Sequence, residues 1–226
     1  MSAIPQAFAL AGSSAPRTLR EALPVFLRHG SPRILIAALA LALAARLWLA
    51  AWSLGDLVAI AALLAFWPLN EWLIHVFLLH ARPVRLLGRS FDFRVPRMHR
   101  AHHRDPWRLE LLFIPIHSFL YALPLALALW LWLAPTRAIA LTGIAFQLAL
   151  SLHYEWVHFL IHTRVVPRSR HYQRLWKNHR RHHFKNEGFW FGVTMLSADR
   201  WLGTGPDFQT VPTSPTARRL EGAAPP

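Results

Sequence analysis

The chain of 226 residues contains no cysteine. That absence excludes disulfides, thiolate zinc sites and thiol nucleophiles together. Any metal it binds must take imidazole or carboxylate ligands. Acidic residues are scarce as well: 11 Asp and Glu stand against 25 Lys and Arg, a formal net charge of +14. Yet 54% of the residues are hydrophobic, and Trp alone numbers 11. Basic loops beside apolar helices are the pattern of a membrane protein, because Lys and Arg collect on the cytoplasmic side. Nucleic-acid binding fits poorly, since so basic and so apolar a chain would not stay soluble. The N-terminal stretch does not read as a signal peptide either. Its first long apolar run begins only after Arg33, too late and too long for a cleaved segment. Residues 1–32 are expected to form a cytosolic tail with a short interfacial helix around 18–28.

Four apolar segments follow: Ile34–Trp52, Leu57–His80, Leu111–Ala134 and Ala138–His162. Each roughly meets the 20 or so residues that a bilayer core requires. The links at 53–56 and 135–137 are short, so the expected fold is an all-α membrane protein of four transmembrane helices in two hairpins. Arg46 interrupts the first helix and is unexpected there. Of the 25 Lys and Arg, 23 lie in the N-terminal stretch through Arg33, the 81–108 loop and the region after 163. By the same charge bias, both termini are expected on the cytoplasmic side. The membrane domain is read as residues 33–205. The Pro-rich tail, 206–226, is expected to be disordered.

The histidines are patterned. Residues 98–103 read MHRAHH and residues 177–183 read KNHRRHH, so His99, His102 and His103 repeat the spacing of His179, His182 and His183. Each triple follows an apolar segment that ends in a histidine pair: His75 with His80, and His158 with His162. Positions three and four apart share a helix face, so each triple is expected to project its rings together. His75 and His80 are five apart, about 140° round an α-helix, and require a local distortion or different partners. Ten imidazoles exceed what one ion accepts and suit two ions with four or five ligands each. His29 and His171 read as ordinary surface histidines, and His117 and His153 as candidates for support behind the ligands. Carboxylates beside a neutral ligand set can orient ring N–H groups. Glu71 and Glu155 are assigned that role, and Asp199 follows the last triple. Tyr154 is a candidate either to line the substrate entrance or to donate a hydrogen bond to the site beside Glu71 and Glu155. The FWFG stretch (189–192) and Trp176 suit either a substrate mouth or an interfacial belt, and the belt suits most of the 11 tryptophans. The arginines at 164, 168, 170, 174, 180 and 181 suit contact with headgroups or an acidic partner.

The ordered set His75-x4-His80, His99-x2-His102-His103, His158-x3-His162 and His179-x2-His182-His183 resembles the fatty acid hydroxylase/sterol desaturase superfamily, with spacing closest to its fatty acid 2-hydroxylase branch. Supporting stretches are NEWLIH (70–75), HYEWVHFLIH (153–162), HHFKNEGFWFGVT (182–194) and ADRWLGT (198–204). The resemblance implies a helical cytosolic cap carrying the histidine motifs. It implies a non-haem di-iron centre, with zinc as an occupant in isolated forms. It implies O2-dependent hydroxylation or desaturation of a fatty acyl or sterol-like lipid in the cell membrane. No cytochrome b5-like module is recognisable, so the expected electron donor is a separate ferredoxin or cytochrome b5. A carotenoid ring hydroxylase is an alternative with a similar histidine set. A histidine-lined metal transporter is the alternative outside enzymes, and would place its ligands near the bilayer midplane.

Overall fold

The structure, a computed structural model, describes residues 15–218. It is helical apart from one small hairpin. In chain order the elements are α1 (Leu19–Arg28), α2 (Gly30–Leu49), α3 (Leu54–Leu73), a π-helical segment (Ile74–Leu79), β1 (Val84–Leu86), β2 (Arg89–Phe91), α4 (Arg94–Arg104), α5 (Phe119–Leu133), α6 (Arg137–Ile161), α7 (Arg170–Phe184) and α8 (Ser197–Trp201). Short 3-10 turns stand at Leu109–Leu111 and Ile116–Ser118. The strands pair antiparallel, with Val84 opposite Phe91 and Leu86 opposite Arg89.

Three helical stretches are long and apolar enough to cross a membrane: Gly30–Leu49, Leu54–Leu79 and Leu109–Leu133. Less than a third of each is buried within the protein (22%, 28% and 22%). Large apolar side chains such as Leu41, Trp48, Leu54, Leu120 and Trp132 are correspondingly exposed. The fourth expected span coincides with α6, whose 25 residues are long enough. It is not among the three apolar stretches, because Gln147, His153, Glu155 and His158 lower its hydropathy. The interfacial helix expected at 18–28 matches α1 to within a residue. The next helix starts at Gly30, inside the expected tail, whose first 14 residues lie outside the described residues.

The chain divides into two compact units. One, Phe26–Trp67 with Phe113–Trp156, is an apolar helical unit. Its core joins Leu35, Ala42, Phe119, Ala145 and Leu148. Glycines allow close helix approach here. A Cβ on Gly143 would stand 2.4 Å from the Trp130 ring, and one on Gly55 2.4 Å from Ile139. Small residues are what lets helices pack closely in a membrane. Arg46 finds its explanation in this unit. It is buried, and its guanidinium donates to Thr142 Oγ1 (2.7 Å), Asp56 Oδ1 (3.0 Å) and the Ala51 carbonyl (3.0 Å). The Trp52 ring lies 3.7 Å from the guanidinium carbon. Thr142 also donates to Asp56 at 2.5 Å, so the charge pair is hydrogen-bonded on both sides. The network ties the α2–α3 turn to α6.

The described residues of the other unit are 15–25, 68–112 and 157–218. This unit packs Trp72, Val76, Phe191 and Ala198 into a small core. The tail expected to be disordered from residue 206 is placed in this unit as far as Arg218. Its composition supports no helix or strand, but its backbone finds partners on neighbouring segments, including Ser214 N–H to the Lys185 carbonyl (2.7 Å). Residues 219–226 lie outside the described residues.

Candidate metal centre

All ten patterned histidines lie in this second unit and form two groups of five. His75, His80, His99, His103 and His182 make one; His102, His158, His162, His179 and His183 make the other. Within each group, one nitrogen from every ring lies within 4.8 Å of the others. Nine of the ten are buried and His80 is half-buried.

The grouping splits both triples. On α4, His99 and His103 are one turn apart and enter the first group, while His102 points to the second. On α7, His179 and His183 enter the second group, while His182 goes to the first. The triples therefore do not project together as expected. In each H-x2-H-H motif only the i,i+4 pair shares a face closely, and adjacent residues diverge by about 100°. Each half of the chain thus lends one ring to the other half's group.

The five-residue spacing of His75 and His80 is resolved by the π-helical segment Ile74–Leu79. The His80 N–H donates to the His75 carbonyl at 3.1 Å, an i→i+5 bond. Widening the turn by one residue brings the two rings to 5.0 Å between centroids and into the same group. Such bulges recur at functional sites.

Backbone carbonyls orient four of the rings. His75 Nδ1 donates to Phe191 O (2.7 Å), His182 Nδ1 to Phe189 O (2.8 Å), His158 Nδ1 to Leu112 O (3.1 Å) and His103 Nδ1 to Ala217 O (2.9 Å). A proton on Nδ1 leaves the Nε2 lone pair for a metal. Two of those carbonyls flank Trp190, a bulky residue held at φ +60°. That left-handed conformation is costly for such a side chain and persists only where packing enforces it. Here Trp190 is 1% exposed and its N–H donates to the Thr204 carbonyl at 2.7 Å. The reversal it creates serves both Phe189 and Phe191.

The residues fit a bound metal. His75, His99 and His103 each bury an Nε2 that no hydrogen bond satisfies among the described residues. His80 and His182 bring Nε2 atoms to 3.2 Å, and His183 brings its Nε2 to 3.1 Å from those of both His102 and His179. Two nitrogens each about 2.1 Å from one ion and about 95–100° apart would stand about 3.1–3.2 Å from each other. Outside the apolar helices, burial pushes the imidazoles of His80, His99, His102, His162, His179, His182 and His183 well below the ordinary histidine pKa, and neighbouring rings add to the effect. His103 is lowered to about 3 by burial, against the opposing bond to Ala217. All are neutral at pH 7, the form that ligates.

Glu71 and Asp199 lie one step back from the rings. Glu71 accepts the N–H groups of Val193 (3.2 Å), Thr194 (3.0 Å) and Met195 (3.4 Å) and the Thr194 hydroxyl, and so fixes the loop after Phe191. Glu155 belongs to the apolar unit, where it accepts the Ser31 hydroxyl and the Ile114 N–H (2.8 Å). Tyr154 is half-buried in that same unit. Asp199 accepts four hydrogen bonds. Its Oδ1 accepts Phe191 N–H (3.0 Å) and the Thr204 hydroxyl (2.8 Å), and its Oδ2 accepts Gly192 N–H (2.8 Å) and Asn178 Nδ2 (3.2 Å). Asn178 and Thr204 escape the sequence reading, although Asn178 lies inside KNHRRHH (177–183) and Thr204 ends ADRWLGT (198–204). The FWFG stretch is not a belt: Trp190 and Phe191 are buried. Arg180 also differs from expectation. It is buried, donates to the Ile161 carbonyl (3.0 Å) and lies over the Trp176 ring (4.0 Å), so it does not reach headgroups. Arg168, Arg170 and Arg174 are not buried.

A model of the fatty acid hydroxylase family matches residues 60–204. A dihydroceramide fatty acyl 2-hydroxylase of Arabidopsis thaliana is 30% identical over 155 residues, 68% of this chain and 62% of that protein. A ceramide very long chain fatty acid hydroxylase of Saccharomyces cerevisiae is 31% identical over 159 residues, 62% of this chain and 36% of that protein. The chain thus spans less than two thirds of the length of these curated relatives. The solved hydroxylase domain of Scs7p superposes with a TM-score of 0.60 over 88% of this chain and 70% of its own, at 21% identity, which is a likeness of fold.

Proposed function

The chain belongs to the fatty acid hydroxylase family, and on that premise we propose that it is a di-iron oxygenase that hydroxylates the acyl chain of a ceramide-like lipid at carbon 2. The observation that carries the reading is the pair of buried five-imidazole groups. In this reading His75, His80, His99, His103 and His182 hold one iron, and His102, His158, His162, His179 and His183 hold the other. Iron rather than zinc follows from the chemistry, since zinc cannot change oxidation state. When bound, the two irons would activate O2 so that one oxygen atom enters a C–H bond and the other leaves as water, with two electrons from a ferredoxin or cytochrome b5-type donor.

The chain's own residues prepare that chemistry. The carbonyls of Leu112, Phe189, Phe191 and Ala217 fix four rings in the ligating tautomer. Burial keeps the rings neutral and excludes water from the ligand atoms. Glu71 and Asp199 hold the loop that supplies two of those carbonyls. Glu155 and Tyr154 lie on α6, upstream of His158, and take part through the placement of that helix. In the membrane arrangement proposed here α6 is a fourth span, and the histidine groups face the cytoplasm with the basic segments. The similarity to acyl 2-hydroxylases supports the substrate class.

The test is comparative lipid analysis of cells that express the wild type or His182→Ala together with a ferredoxin or cytochrome b5 system, grown in air. The expected product is a wild-type-specific acyl lipid heavier by one oxygen, with fragmentation placing the hydroxyl on carbon 2. A lipid lighter by two hydrogens would replace hydroxylation by desaturation. Identical lipids from the two strains, with wild-type protein that is purified metal-loaded and reducible by the donor, would overturn the oxygenase reading.

A further inference from the structure

The placed part of the C-terminal tail bears on the first histidine group. We propose that Ala217 and Arg218 form a strap that positions His103 as a metal ligand, an inference that rests on the metal-centre reading above. The strap lies beyond residues 60–204, so the family match does not supply it. Three observations carry it. The Ala217 carbonyl accepts His103 Nδ1–H at 2.9 Å, leaving Nε2 as the free ligand atom, and that Nε2 is buried with no hydrogen-bond partner among the described residues. Arg218 donates from Nε to the His103 carbonyl (3.0 Å) and from Nη2 to the Arg104 carbonyl (2.7 Å). These carbonyls end α4, where a helix leaves its last acceptors unpaired and favours a cation. The strap thus grips His103 from both its ring and its backbone.

The strap is itself anchored. Ser214 N–H donates to the Lys185 carbonyl (2.7 Å), just past α7. The Thr216 hydroxyl donates to the carboxylate of Glu187 (2.5 Å), which is 1% exposed. Val211 and Ala217 are buried, and the Arg218 guanidinium lies 5.5 Å from the Phe184 ring centre. The anchors follow α7, which carries His182, and the grip falls on α4, which carries His99 and His103. One segment therefore links the two helices that share the first group. The other three orienting carbonyls come from within residues 60–204. Among the four rings so oriented, His103 alone depends on a residue outside that stretch.

Loss of a group that orients a metal-bound histidine commonly weakens metal binding about 10–100-fold. The experiment titrates metal-free full-length protein in detergent with Co(II), against a competing chelator, and counts ions per chain. It compares the chain ended after Arg218, the chain ended after Pro215, and Arg218→Ala in the full chain. The first is expected to bind two ions as the full chain does. The second is expected to keep one ion unchanged and bind the other about 10–100-fold more weakly. Arg218→Ala is expected to shift the same ion in the same direction, with Arg218→Lys restoring part of it, and it reports even if the shorter chain does not fold. Two unchanged ions in the chain ended after Pro215 and in Arg218→Ala would overturn the strap. Equal weakening in both shortened chains would also overturn it, by moving the effect beyond Arg218. A full-length protein that binds no Co(II) would instead remove the metal-centre reading itself.

Discussion

Replacing Asp199 by Asn tests whether the loop from Phe189 to Thr194 orients the first histidine group from a distance. The exchange is nearly isosteric, so packing changes little. Asp199 accepts four hydrogen bonds, two on each oxygen. An amide nitrogen at the Oδ2 position would confront two donors, Gly192 N–H and Asn178 Nδ2. At the Oδ1 position it would confront the Phe191 N–H, while the Thr204 hydroxyl can rotate to accept. The second orientation is favoured and strands one buried N–H, which costs about 1–3 kcal/mol. The remaining bonds lose their charged acceptor, roughly another 1 kcal/mol in sum. Burial pushes the Asp199 carboxyl up from its ordinary pKa, so a neutral side chain recovers part of that. The net expectation is a loss of about 2–3 kcal/mol, concentrated at Phe191. Because the Phe191 carbonyl orients His75, one of the two metal sites should weaken, by about 10–100-fold. Thermal unfolding in detergent and Co(II) titration against a chelator read the two effects separately. An Asp199→Asn protein that melts as the wild type does and binds both ions unchanged would refute the chain of contacts from Asp199 to His75.

Glu71→Gln should loosen the 193–195 segment in the same way, with a loss of roughly 2 kcal/mol from three backbone donors and a hydroxyl facing a neutral acceptor; metal content equal to the wild type after dialysis against chelator would remove Glu71 from the support of the site. Arg46→Met leaves Asp56 buried without its cation and should destabilise the protein by about 3–5 kcal/mol, whereas Arg46→Met with Asp56→Leu should recover much of the loss; a melting temperature that the double substitution does not improve would count against the pair. In metal-free protein, the seven histidines outside the apolar helices held well below the ordinary value, and His103 at about 3, stay neutral when folded but bind protons when unfolded, near the ordinary histidine pKa. The unfolded state therefore binds more protons below that value. Stability should be greatest above about pH 7 and fall as pH drops toward about 5, by about 1.4 kcal/mol per pH unit for each proton taken up. A melting temperature flat between about pH 7.5 and 5.5 would contradict this.

What the sequence revealed, and what it hid, follows from the range over which each feature is encoded. The ten ligand candidates were legible because their types and spacings are local. Their division between two groups was half legible: helical geometry pairs His99 with His103 and His179 with His183, but the destinations of His102 and His182 depend on how α4 and α7 face each other. The His75–His80 spacing demanded a distortion, and the π-helical segment is its form; no side chain in IHVFLL marks that choice beforehand. The length of the apolar runs anticipated the three stretches apolar enough to cross a membrane, and α6 is not among them because it carries Glu155 and His158 among its apolar residues. The orienting carbonyls were invisible, because every residue has one and only tertiary structure aims it. For the same reason the tail read as disordered. Composition judges whether a segment can fold by itself, and 206–218 cannot; it does not register that such a segment can be held by another element's unsatisfied backbone groups. The end of α4 needs acceptors covered and a histidine ring fixed, and Ala217 and Arg218 meet both needs with contacts of no sequence signature. The finest positioning in the candidate metal centre is therefore carried by backbone atoms, and substitutions that displace backbone should disturb it more than those that trim exposed side chains.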